Sequence, residues 1–191
     1  TEEETSQLLK QAHRAYSTEV NDLLLTALGM TLYAWTGKES SLINLEGHGR
    51  EDIIADTDIS RTIGWFTSQY PVLLDIGKEA DVSRHIKRVK EGLRRIPHKG
   101  ISYGMWRYLN KSGRTNETYV DPQISFNYLG EFDQDLKNSD MNTSPYSTTA
   151  DVSDQTETKF ALDVGGMVTD GNLELGIRYN QKAFREDTIE H

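Results

Sequence analysis

The segment that most constrains this fold is a short apolar run that ends in a cluster of ionisable residues. Residues 41–45 (Ser-Leu-Ile-Asn-Leu) have the composition of a buried strand. Residues 46–51 (Glu-Gly-His-Gly-Arg-Glu) follow at once, and they combine two carboxylates, an imidazole and a guanidinium with two glycines. A strand that ends this way commonly presents reactive side chains to a cleft from a rigid scaffold. The alternative is a polar surface turn in which Arg50 pairs with Glu51.

Glu46 is the candidate for acid–base chemistry within this cluster. It stands at the end of the strand, where its backbone is held, and we expect burial there to raise its pKa. His48 and Arg50 could orient Glu46, or they could belong to an ion network that only holds the loop. Arg61 could pair with Glu46 or Glu51 or lie on the surface, and a structural role is favoured.

Hydrophobic periodicity predicts helices and strands around one core. Apolar residues recur at helical spacing over 19–36, after a cap at Thr18 and before Gly37. Asp22 is expected to help cap this helix. The remaining predicted elements are helices capped by Thr1 and Asp81, strands at 70–76, 123–129, 159–169 and 172–181, an Asp170-Gly171 hairpin turn and a helix start near 184–191. This pattern predicts an α/β (α+β) two-layer fold, a mixed sheet with helices packed on it.

Three further segments carry specific predictions. Trp65 and Phe66 are expected to be core residues that clamp the loop 61–68 by burial. Residues 134–156 are poor in aliphatic residues and are expected to form a long flexible loop. The helix at 81–96 should bury an apolar face that includes Val82 and Val89. Its other face is basic and is either solvated or a patch for an acidic partner or a phosphate-bearing arm (Arg84, Lys87, Arg88, Lys90, Arg94 and Arg95).

Composition excludes several classes of function. The net charge of −9 over 191 residues argues against binding to nucleic acid or to anionic membranes. No apolar run is long enough to span a bilayer. The chain has no cysteine, which excludes disulfides, thiol catalysis and cysteine-based zinc sites, and its five histidines lack metal-ligand spacing. We therefore expect a cytoplasmic protein with no metal and no cofactor of its own.

Five collinear stretches resemble the signature motifs of epimerization domains of non-ribosomal peptide synthetases. In chain order they are 22–29 (D-L-L-L-T-A-L-G), 46–51 (E-G-H-G-R-E), 61–72 (R-T-I-G-W-F-T-S-Q-Y-P-V), 97–104 (P-H-K-G-I-S-Y-G) and 126–133 (F-N-Y-L-G-E-F-D). Ser102 stands where the family commonly has glycine. The second and fifth motifs favour epimerization domains over the related condensation domains, which share the fold.

One family motif, H-H-x-x-x-D-G, is missing, since the chain contains no pair of adjacent histidines. The resemblance therefore implies that residues 1–191 form only the C-terminal lobe of the catalytic domain. It also implies a fold of two chloramphenicol-acetyltransferase-like lobes that meet at a tunnel. The N-terminal lobe of the same domain would then be a partner, and this chain alone would be inactive.

The resemblance implies inversion, from L to D, of the α-carbon of an aminoacyl or peptidyl thioester during peptide antibiotic synthesis. The substrate would be carried on the 4'-phosphopantetheine arm of a peptidyl carrier domain, with adjacent synthetase modules as further partners. Inversion needs proton removal on one face and delivery on the other. Glu46 would be one of the two groups and a histidine of the missing lobe the other, and which of them deprotonates the L-form stays open.

Two residues of the fifth motif complete the candidate site. The resemblance implies that Asn127 donates a hydrogen bond to an enolate or amide, and that Tyr128 serves as an acid or as packing. Two other functions stay open. A condensation-type acyltransferase lobe would form an amide bond without requiring Glu46, and a non-catalytic module would only dock carrier domains.

Overall fold

The strands form one mixed five-stranded sheet. The structure is a computed structural model, and it describes residues 1–78, 80–109, 120–131 and 159–190. The strands are β1 (Ser40–Gly47), β2 (Ser68–Asp75), β3 (Ile124–Glu131), β4 (Leu162–Thr169) and β5 (Asn172–Tyr179). Their order is β2-β1-β3-β4-β5, with β1, β3 and β4 parallel and both edge strands antiparallel to their neighbours. The predicted mixed α/β fold and the predicted hairpin at 170–171 are confirmed.

Helices pack against this sheet. They are α1 (Glu2–Lys10), α2 (Val20–Thr36), α3 (Val82–Arg94), α4 (Ser102–Leu109) and α5 (Glu186–Glu190), with 3-10 turns at Ala12–Ala15 and Pro97–Gly100. Helices α2 and α3 pack against each other and against β2, and α2 also contacts β1. The core between helices and sheet centres on Leu25, Ile43, Leu74 and Phe126, which are fully buried. These apolar contacts hold the central strands in place and so fix the positions of the side chains at their ends.

Helix α2 begins one residue later than the prediction. The Glu19 amide donates a hydrogen bond to Asp22 Oδ2 at 2.8 Å, so Glu19 is the N-cap residue and Asp22 has the expected capping role. The predicted cap at Thr18 is wrong, because its hydroxyl is buried without a hydrogen-bond partner among the described residues. The helix ends as expected at Gly37.

Helix α3 has the predicted cap but a different buried face. Asp81 accepts a hydrogen bond from the Ser83 amide at 2.9 Å. The buried residues are His85 and Val89, whereas Val82, expected to be buried, is exposed. His85 takes this place because its Nδ1 lies 2.8 Å from the Ile76 carbonyl oxygen, which gives the buried ring a polar partner.

Several residues of the predicted basic face of α3 form hydrogen bonds or ion pairs within the molecule. Both guanidinium nitrogens of Arg94 donate to the Asp22 carboxylate, at 3.1 and 2.9 Å. Asp22 is only 1% exposed, so Arg94 neutralises a buried charge and is not available to a partner. Arg88 pairs with Asp75 at 2.9 Å, and Lys90 donates to a backbone carbonyl. A carrier-docking role for the remaining basic residues stays a prediction.

The loop that contains Trp65 is not clamped in the core. Trp65 is 90% exposed, so the prediction that it is a core residue is wrong. Phe66 is partly buried and packs under the Arg50 guanidinium, 4.2 Å from its ring centroid. The predicted flexible loop at 134–156 lies outside the described residues. Within the part of the chain that is described, no helix is long and apolar enough to cross a membrane.

Candidate functional site

The candidate site lies where β1 and β3 end. These neighbouring strands are parallel, and Leu45 pairs with Phe126, so the residues that follow them, Glu46 and Asn127, meet at the same edge of the sheet. On the other side of β1, antiparallel pairing places Gln69 of β2 directly opposite Glu46. Directly opposite residues on antiparallel strands have their side chains on one face. Three polar side chains from three strands therefore form a row with Glu46 in the middle.

Glu46 accepts a hydrogen bond on each of its carboxylate oxygens. Asn127 Nδ2 donates to Oε1 at 3.0 Å, and Gln69 Nε2 donates to Oε2 at 3.1 Å. Both amides must present their NH₂ groups, because a carboxylate can only accept. Glu46 is partly buried and not fully enclosed. The two donors hold the orientation of the carboxylate.

A cleft of about 820 Å³ opens beside Glu46. Its lining includes Glu46, Asn127, Tyr128, Tyr70 and Lys99. Two predicted site residues from β3, Asn127 and Tyr128, thus share this cleft with Glu46, although successive residues of a regular strand point to opposite faces. A register shift interrupts the pairing of β3 with β4 between Tyr128 and Glu131. Within the described residues, no group of three or more His, Asp or Glu side chains could hold a metal ion.

The two tyrosines of the cleft keep their protons at neutral pH. Burial and the nearby Glu51 carboxylate raise the pKa of Tyr70 to about 12. Burial, with a smaller contribution from Glu131, also raises the pKa of Tyr128. Both phenols can therefore donate hydrogen bonds, and neither can act as a base without first losing a strongly held proton.

Tyr70 gives a testable pH dependence of stability. Its folded pKa lies above the ordinary unfolded value of about 10, so the neutral phenol stabilises the fold below about pH 10. This contribution should fall as the pH rises toward 12. Thermal unfolding at increasing pH from about 9 to 11 should therefore show a smaller loss of stability in Tyr70→Phe than in the parent chain. Equal losses in both proteins would contradict the prediction.

The loop after Glu46 is held by its own ionic contacts. His48 Nδ1 accepts a hydrogen bond from the Arg50 amide at 2.9 Å, and its Nε2 lies 3.2 Å from Glu51 Oε1. Lys99 Nζ lies 3.8 Å from the other Glu51 oxygen. Glu51 is therefore the centre of a network that ties the loop to the Pro97–Gly100 turn. His48 is directed to Glu51 and not to Glu46, which favours the network over the orienting role.

Arg50 also supports the loop. Its guanidinium donates to the carbonyl oxygens of Ile59 at 2.7 Å and Gly64 at 3.4 Å, in addition to stacking on Phe66. The alternative of a surface turn with an Arg50–Glu51 pair is therefore wrong. Arg61 is exposed and, among the described residues, forms no ion pair with Glu46 or Glu51. Arg50 thus closes the 51–66 excursion, and Arg61 lies outside the site.

Gln69 is the site residue that the sequence did not reveal. It lies in the 61–72 motif at a position where the family pattern leaves the residue open. Only the register of β1 against β2 brings it to Glu46. The alternation of Tyr70-Pro71-Val72 is a signal for a strand, but it does not indicate which residue of β1 faces Gln69.

The whole chain matches known proteins. A family model described as a condensation domain matches residues 1–191. The chain is 55% identical over 190 residues to part of a mycosubtilin synthase protein of Bacillus subtilis, covering 100% of this chain and 7% of that protein. It superposes with a TM-score of 0.88, at 45% identity, on the crystal structure of the epimerization domain from the third module of tyrocidine synthetase B. That match covers 100% of this chain and 43% of the other.

A more distant structure shares the fold alone. The first condensation domain of the CDA synthetase has a TM-score of 0.60 at 14% identity, over 98% of this chain and 40% of that domain. The chain thus spans less than half of each solved domain and a small part of the curated relative it matches.

Proposed function

The chain belongs to the condensation-domain family of non-ribosomal peptide synthetases, and on that premise we propose that it is the C-terminal lobe of an epimerization domain. In this proposal it inverts the α-carbon of an aminoacyl or peptidyl thioester and supplies one wall of the active-site tunnel. The identity of 45% to an epimerization domain, against 14% to a condensation domain, supports this choice within the family.

The observation that carries the proposal is a carboxylate held by two amides at the wall of a large cleft. A thioester makes its α-hydrogen more acidic than an amide would, yet the enolate still needs a base, a proton donor and stabilising hydrogen bonds. Glu46, oriented by the hydrogen bonds from Asn127 and Gln69, is suited to remove or return the proton on one face of the α-carbon. A histidine of the preceding lobe would exchange the proton on the opposite face.

The other cleft residues have supporting roles in this proposal. Asn127 donates one amide hydrogen to Glu46. Its second makes no hydrogen bond among the described residues, and in this proposal it donates to the thioester oxygen when negative charge develops there. Tyr128 stays protonated and could donate to the same oxygen. The thioester would arrive on the phosphopantetheine arm of a carrier domain, and the other lobe and adjacent modules would be further partners.

The test is uptake of deuterium at the α-carbon of a carrier-bound aminoacyl thioester in heavy water. We expect exchange when this chain is joined to the preceding half of its domain. The Glu46→Gln variant should lose conversion of the L- to the D-thioester by at least about a thousandfold, because the amide cannot exchange the proton on its face of the α-carbon. Undiminished L-to-D conversion in Glu46→Gln would remove Glu46 from the mechanism. Amide-bond formation without α-exchange would instead identify a condensation lobe.

A further inference from the structure

We propose that Gln69 is a positioning residue that holds the Glu46 carboxylate in the orientation needed for proton transfer. This inference rests on the proposed function, because it assigns a role that acts through Glu46. It concerns a residue of the edge strand β2, whereas the other donor to Glu46 comes from the central strand β3.

Gln69 reaches Glu46 from outside the cleft. Asn127 lines the cleft together with Glu46. Gln69 does not line it and instead faces a neighbouring pocket of about 430 Å³ with Asn44 and Phe66. A substrate in the cleft would therefore contact Glu46 and Asn127. Gln69 would contact only Oε2 of the Glu46 carboxylate. This placement makes Gln69 a residue that acts through Glu46 and does not touch the reacting atoms.

Two donors orient a carboxylate better than one. With Asn127 alone, the carboxylate could rotate about its terminal bond while keeping a hydrogen bond to either oxygen, since that torsion is soft. Donors on both oxygens, from strands on opposite sides of β1, fix the plane of the group.

Gln69 can be tested without damaging the fold. Its side chain is exposed, and substitutions at exposed positions usually change stability little. Gln69→Met keeps the length of the side chain but cannot donate, whereas Gln69→Glu places a second carboxylate against Glu46. Gln123→Met is the matched control, because Gln123 is also an exposed glutamine, directly before β3. Among the described residues, its side-chain amide donates only to the Asp121 carbonyl oxygen.

The experiment measures the pH dependence of α-deuterium exchange in the whole domain. For Gln69→Met we expect kcat to fall about tenfold with little change in KM, since one hydrogen bond to a charged group is lost. Gln69→Glu should be slower still at neutral pH and should recover as the pH falls, when the added carboxyl becomes protonated and can donate.

The outcomes separate this inference from the proposed function. L-to-D conversion lost in Glu46→Gln, but an unchanged exchange rate in Gln69→Met, would overturn the role of Gln69 and leave the proposed function in place. A rate in Gln69→Glu that does not recover as the pH falls would also overturn it, because a merely structural defect would have that result. Full L-to-D conversion in Glu46→Gln would overturn the proposed function first. Gln123→Met should match the parent domain throughout.

Discussion

Replacing Arg94 by methionine should destabilise the protein by about 3 kcal/mol, because it leaves the Asp22 carboxylate buried without its cation. Asp22 is almost fully enclosed, and Arg94 meets both of its oxygens. After the substitution, only the Glu19 amide remains as a donor to this carboxylate among the contacts described. Urea unfolding followed by the fluorescence of the chain's three tryptophans would measure the loss.

Arg95→Met is the control for this prediction. Arg95 is the next residue, is exposed and has no side-chain hydrogen bond or ion pair among the described residues. The same change of side chain there should cost less than about 0.5 kcal/mol. The double variant Asp22→Asn/Arg94→Met should be more stable than Arg94→Met, because the uncompensated charge is gone. Equal costs at positions 94 and 95 would show that Asp22 does not depend on Arg94.

This ion pair illustrates what the sequence could not reveal. Sequence patterns predict that Asp22 caps α2 and that Arg94 belongs to a basic helix face. Both interpretations use only residues within one helix. The two residues are 72 positions apart, and their contact follows from the packing of α2 on α3. Buried ion pairs between helices leave no local pattern, so nothing in the residues around Arg94 indicates that its charge is already used.

Local signals predicted much of the site and its framework. The apolar run 41–45, the Asp81 cap and the 170–171 hairpin are correctly placed, because each depends on residues close together in the chain. The family motifs identify Glu46 and Asn127 as site residues, but they do not predict that the two side chains are in contact. Their hydrogen bond and the approach of Gln69 depend on how strands distant in sequence pair. The prediction that Trp65 lies in the core relied on the usual burial of large aromatic residues. It is wrong because this side chain is exposed.

Gly49→Ala should have the largest effect of any single-methyl change in the loop that follows Glu46. Gly49 has a φ of +68°, and a Cβ atom there would overlap the Phe66 carbonyl oxygen. The obstacle is backbone, so no side-chain rotation can relieve it. The segment around Gly49 and the segment around Phe66 would have to move apart, which would disturb the Arg50 contacts to Ile59 and Gly64 that link the two segments. We expect α-exchange to fall by about a hundredfold, the cost of displacing a catalytic group by roughly 1 Å.

Gly37→Ala is the control that separates the effect of this clash from the effect of backbone strain. Gly37 has nearly the same φ, +70°, but a Cβ atom there would meet nothing within 4 Å. Its substitution should cost only the strain of a left-handed alanine, about 1 kcal/mol, and should leave exchange unchanged. Both variants would be compared by urea unfolding and by α-deuterium exchange in the joined domain. If Gly49→Ala lost no more exchange and no more stability than Gly37→Ala, then the close approach of Gly49 to Phe66 would not hold the Glu46 loop in solution.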